Sequence, residues 1–111
     1  MALTDYAARV MKRLGLLDPD ENPEPKEAQD IIATMRSTHA AMLDMQLIDW
    51  PLDDIPVRCE DAWINYVAYK VAGDFAATTQ EVVGRGEEGY RTLIALSAQP
   101  NDPRDIPVTD Y

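Results

Sequence analysis

The 111-residue sequence is short of the side chains that carry covalent and metal chemistry: one histidine (His39), one cysteine (Cys59) and two serines (Ser37 and Ser97). A lone cysteine excludes an internal disulfide and suits a reducing compartment. Two such ligands cannot close a zinc site. His39 and Ser37 stand two apart on a predicted helix and point to different faces, which works against a hydrolytic pairing. Neither common phosphate-cradling glycine pattern occurs. The expectation is a chain that is not an enzyme and uses no cofactor and no metal. Long apolar runs are missing too, none approaching the roughly 20 residues of a membrane span. Residues 1–10 lack a basic flank followed by an apolar block, so no secretory signal is expected. Positive charge is scarce: 10 Lys and Arg stand against 20 Asp and Glu, a net charge of −10. Phosphate binding rests on Lys and Arg, so general DNA or RNA binding and attachment to an anionic membrane are disfavoured.

Apolar residues are plentiful, at 46%, which marks a globular chain rather than a disordered acidic one. The length suits one small domain with a modest core. The nearest approach to a metal motif is Asp18-Pro19-Asp20-Glu21-Asn22, the opening of a calcium loop. The sixth position is Pro23 where the turn needs glycine, and the twelfth is Gln29 where a bidentate Glu is needed. The segment therefore reads as an acidic surface loop stiffened by proline.

Apolar spacing predicts four helices. The first runs over 4–14, with Leu3, Tyr6, Ala7, Val10, Met11 and Leu14 on one stripe and Thr4 as cap. Arg9, Lys12 and Arg13 gather near its C-terminal end, where the dipole favours cations, and Gly15 stops it. The second runs over 25–46, opened by Pro25, with His39 on its buried stripe as a core or interface histidine. A turn through Trp50-Pro51 leads to the third helix, 56–78, with Asp53 or Asp54 as cap. This helix carries two apolar stripes, Cys59/Ala62/Trp63/Tyr66/Tyr69 and Ile64/Val67/Ala68/Val71/Phe75. A helix apolar on both sides is either central or covered by partners, and in so small a domain that argues for oligomerisation. The fourth helix covers 80–97. Its glycines at 84, 86 and 89 permit a close helix approach, a frayed turn or a break, and the sequence does not choose among them. Three prolines exclude helix from 98–111, leaving a disordered tail or an extended arm with Ile106, Val108 and Tyr111 as its apolar residues. The predicted architecture is all-α: a bundle of about four helices over 1–98 and an extended C-terminal arm over 99–111.

Three stretches resemble a known family. They are Arg13-Leu14-Gly15-Leu16-Leu17 before an acidic proline-rich loop, Met42-Leu43-Asp44 before Trp50-Pro51-Leu52, and Ile55-Pro56 before Cys59-Glu60-Asp61-Ala62, closing near Ala72-Gly73-Asp74-Phe75. Over residues 3–97 the chain resembles the head-to-tail adaptor (connector, or head-completion) proteins of tailed bacteriophages, which have relatives in gene transfer agents. The resemblance implies a structural virion protein, made in the host bacterial cytoplasm and located at the head-tail junction. It would form a homo-oligomeric ring of about twelve closed by rotation. That ring would bind the portal protein, dock the next tail component (a stopper, nozzle or tail tube) and help retain packaged DNA. Double-stranded DNA would pass through its channel without specific binding. It also implies a portal-contact arm at Pro103, Ile106, Pro107, Val108 and Tyr111. Candidates for the subunit interface are Trp50, Trp63, Tyr66, Tyr69 and Phe75. Composition alone leaves Trp50, Trp63, Tyr66 and Tyr90 open between core and interface. The competing expectation is a small acidic protein-binding module of the DNA-mimic, antitoxin or anti-repressor type, with a basic protein as partner.

Overall fold

A computed structural model describes residues 2–97 of the chain. The arm assigned to 99–111, with Pro103, Ile106, Pro107, Val108 and Tyr111, lies outside the described residues. The described chain is an all-α bundle of four helices, with no strand among the described residues. They are α1 (Leu3–Arg13), α2 (Pro25–Asp44), α3 (Val57–Val71) and α4 (Gln80–Ser97), with a 3-10 turn (Ala72–Phe75) extending α3.

Helix α1 buries Tyr6, Ala7, Val10 and Met11, and α2 buries Ala28, Ile31, Ile32, Met35, Thr38, His39 and Met42. Each set recurs at three- and four-residue spacing, so each helix has one apolar stripe to bury. The two stripes pack on each other and on α3, while α4 packs on α3. Helix α3 is therefore central. Cys59, Trp63, Ile64, Val67 and Val71 are at most 1% exposed within a single chain. The burial of these five side chains therefore needs no partner chain, since α1, α2 and α4 all pack on α3. Among the described residues the large apolar side chains left most open are Leu43 and Met45 near the end of α2 and Val57 at the start of α3, while Tyr66, Tyr69 and Phe75 of the two stripes are half-buried.

The joints differ from expectation in instructive ways. Helix α1 begins at Leu3, with Ala2 rather than Thr4 in the cap position and no side-chain cap bond. Helix α3 likewise starts after Pro56 without a cap from Asp53 or Asp54; the Asp54 N–H instead closes a turn onto the Pro51 carbonyl. Among the described residues the one side-chain cap bond of this kind belongs to α4, where the Thr79 hydroxyl oxygen accepts the Val82 N–H at 3.1 Å. At the C-terminal ends one device recurs. After α1, Gly15 takes φ +77°, its N–H meets the Lys12 carbonyl and the Leu16 N–H meets the Met11 carbonyl. This double closure satisfies carbonyls that the helix leaves unpaired. Gln46 (φ +60°) closes α2 in the same way, so the helix ends at Asp44, two residues short of the predicted end at 46. Ala76 (φ +52°) closes the 3-10 turn through Ala76 N–H to Gly73 and Ala77 N–H to Ala72. The predicted third helix of 56–78 thus ends as α-helix at Val71.

Candidate functional site

The chain's few reactive side chains are built into the core. His39 is 8% exposed, and its Nε2–H donates to the Trp50 carbonyl at 2.8 Å. Its ring lies 5.5 Å from that of Trp50, and Trp50 meets Trp63 edge-on at 5.6 Å. Such tilted and edge-to-face contacts are favoured by the ring quadrupoles. Trp50 Nε1–H donates to the Ser97 hydroxyl at 3.1 Å, tying the end of α4 to the loop before α3. Cys59 is fully buried, and burial pushes its thiol above the ordinary range. Among the described residues no group of three or more His, Cys, Asp or Glu side chains is placed to hold a metal ion. In the acidic loop, Glu21 Oε1 turns back to accept the Asp18 N–H at 2.7 Å. That bond makes a local turn.

Two surfaces carry more information. The first is an open cleft of about 550 Å³ between α1, α3 and α4. Helix α1 contributes Arg9, Lys12 and Arg13, α3 contributes Val57, Glu60, Asp61 and Ile64, and α4 contributes Arg85. The basic end of α1 is therefore not simply a solvated helix terminus. Arg13 reaches across to Asp61 (3.0 Å) and to the Asn65 side-chain carbonyl, and Arg9 stands 3.9 Å from Glu60. Arg85 pairs along its own helix with Glu81 at 3.5 Å. Exposed pairs of this kind contribute about 0–1 kcal/mol each. Their main effect is to fix where the positive charge sits. Beneath them the Tyr6 hydroxyl donates to Glu60 Oε2 at 2.7 Å.

Burial, and then the bond and charge of Glu60, push the Tyr6 hydroxyl up to about 12, with Arg9 acting in the opposite sense. The folded state thus keeps Tyr6 protonated where the unfolded chain ionises it. This contribution to stability is whole below pH 10, the ordinary tyrosine value, and is lost as pH rises toward 12. In an alkaline titration followed by phenolate absorbance, Tyr6 is expected to ionise late, and Tyr6→Phe to remove that late step. A titration unchanged by Tyr6→Phe would contradict the assignment.

The second surface is a tyrosine face on α3 and α4. Tyr66 stacks at a tilt on Tyr90 (5.0 Å) and on Tyr69 (6.5 Å), and the Lys70 ammonium stands 6.0 Å from the Tyr66 ring centroid. The close fit underneath is made by glycines. A Cβ on Gly86 would lie 2.2 Å from the Tyr69 Cβ, and one on Gly89 would lie 2.7 Å from the Ala62 carbonyl oxygen. Of the three readings open for these glycines, close helix approach is the one found at 86 and 89. Gly84 faces open space.

The five interface candidates separate on burial. Trp63 is 0% and Trp50 5% exposed, so both belong to the core of the chain and have almost no ring surface to offer a neighbour. Tyr66, Tyr69 and Phe75 are half-buried and keep part of their surface open. Tyr90 shares their environment. The cleft is not legible in the sequence as a unit, because the α1 cations and the α3 carboxylates lie about 50 positions apart. The available signal is the adjacent Glu60 and Asp61 on a helix with two apolar stripes, since carboxylates there call for cationic neighbours from another element. No protein-family model, no curated protein and no solved structure matches this chain.

Proposed function

We propose that the chain is the subunit of a head-to-tail adaptor ring, which sits under a phage-type portal, joins head to tail and extends the DNA channel. One observation carries the reading: the residues of the resemblance fall at the joints of the bundle. Arg13 to Leu17 contains the Gly15 closure of α1, Met42 to Asp44 ends α2, and Ile55-Pro56 opens α3. Trp50 anchors the intervening loop through Ser97 and the His39 bond. Joint residues set how helices are disposed, so a likeness at them bears on fold geometry more than a likeness in apolar pattern alone would. Net charge adds support. A subunit at −10 would give an acidic lumen, which repels DNA phosphates and lets the duplex slide without sticking. The same charge sets copies against one another, so the ring would assemble on the portal as template.

The test is negative-stain microscopy of the protein alone and mixed with the portal ring of its own genome. The expected result is a new collar on one end of the portal. An unchanged portal beside free monomers would overturn the reading in favour of the acidic binding module. Deleting 103–111 is expected to leave helical content intact and to abolish the collar. If binding survives the deletion, portal contact does not reside in Pro103, Ile106, Pro107, Val108 and Tyr111.

A further inference from the structure

Among the described residues, the cleft between α1, α3 and α4 gathers positive charge on this acidic chain. Arg9, Lys12, Arg13 and Arg85 line it against two carboxylates, Glu60 and Asp61. Lys12 makes no ion pair among the described residues. Val57, 83% exposed, forms part of the lining as an uncovered apolar contact. Elsewhere on the same chain the loop 18–24 carries Asp18, Asp20, Glu21 and Glu24, all exposed, with Pro19 and Pro23 between them. None of these loop residues lines its own chain's cleft, and none makes an ion pair among the described residues.

We infer that the cleft of one copy receives the 18–24 loop of a second copy. Four carboxylates would face four cations, and the prolines would lie against Val57. The inference rests on the adaptor-ring reading and names the contact that would build such a ring. A ring closed by rotation needs a head-to-tail interface, in which two different and complementary patches on one chain meet. The cleft and the loop are such a pair. Proline also helps energetically. A loop already restricted in its backbone loses less freedom on docking, and preorganisation of this kind favours binding. The charge balance requires a local device as well. Copies at −10 repel at distances up to the Debye length of about 8–10 Å at physiological salt. Close approach is favourable only where a negative patch meets a positive one. Salt alone is a poor test, because it weakens the contact and relieves the overall repulsion together.

The decisive experiment exchanges charge between the two patches. One variant carries Lys12→Glu and Arg85→Glu. The other carries Asp20→Lys and Glu24→Lys. All four positions are exposed and outside the core, and circular dichroism verifies that each variant folds. With the portal ring, wild type is expected to form the collar, each variant alone to lose it, and an equal mixture of the two to regain it. In parallel, a carbodiimide is applied to a mixture of isotopically light and heavy wild-type protein, with the portal ring and without it. It is expected to join Lys12 to Asp20 or Glu24 in peptides that combine the two labels. Collars formed by each variant alone would overturn the cleft–loop contact and leave the adaptor reading standing. Failure of the mixture to restore the collar would overturn it equally. No wild-type collar, with mixed-label cross-links present, would sink the adaptor reading and keep the contact. Absence of both, or cross-links confined to single chains, would end the inference.

Discussion

Gly89→Ala is expected to destabilise the protein by about 2 kcal/mol, and Gly86→Ala by at least as much, whereas Gly84→Ala is expected to stabilise it by up to about 1 kcal/mol. All three replacements gain the same helix propensity, so the differences come from what each new methyl group meets. At Gly84 it meets nothing within 4 Å. At Gly89 it meets the Ala62 carbonyl oxygen at 2.7 Å, and at Gly86 the Tyr69 Cβ at 2.2 Å. Neither neighbour is the far end of a flexible side chain. Relief to an ordinary carbon–carbon separation of ~3.5–4.0 Å requires the two helices to part. Because α4 is seated almost wholly on α3, parting them loosens Leu93 and the tyrosine face together. Urea midpoints followed by tryptophan fluorescence would measure the series. A stabilising Gly89→Ala would show that the helices stand further apart than described.

Trp63→Ala is expected to cost about 3–5 kcal/mol, a large fraction of the stability of a domain this size. Trp63 is 0% exposed and is ringed by His39, Trp50 and the α3 stripe, so the truncated site has little freedom to collapse. Trp63→Phe separates two terms. Trp63 Nε1–H is buried without a hydrogen-bond partner among the described residues, and such a donor costs roughly 1–3 kcal/mol. Phenylalanine loses ring volume and removes that orphan at the same time. The expected cost of Trp63→Phe is therefore below about 2 kcal/mol, well short of the alanine variant. Chemical denaturation followed by circular dichroism is the appropriate readout, since both changes remove a fluorophore. A Trp63→Phe cost well above about 2 kcal/mol would mean that the indole N–H is bonded in solution, with a buried water as the natural partner.

The helices themselves are legible in the sequence because their apolar residues repeat at helical spacing. The bounds of α4, 80–97, and the start of α2 at Pro25 can be read directly. Helix ends are harder wherever the closing residue gives no signal. Gly15 announces the end of α1, but Gln46 and Ala76 adopt the same left-handed backbone with ordinary side chains. Their conformation is imposed by the packing on either side. The apolar surround of α3 is legible too, but its meaning is not, since periodicity cannot tell a sister helix from a neighbouring subunit. For the candidate site, the cations at 9, 12 and 13 are visible as a cluster, whereas Arg85 joins them only through the seating of α4. Burial of Trp50 and Trp63, against half-burial of Tyr66, Tyr69 and Phe75, likewise depends on which loop covers which ring.

Cys59 turns the seating of α4 into a rate. The thiol lies on α3, fully buried, with Ser97 at the end of α4 beside it. A buried, protonated thiol is inert toward alkylating reagents, so labelling waits for the moment when α4 lifts. Where re-closing outpaces the reagent, the labelling rate follows the population of the open form. The chain's single cysteine is therefore a native clock for one helix, and its tempo separates local detachment of α4 from unfolding of the whole bundle.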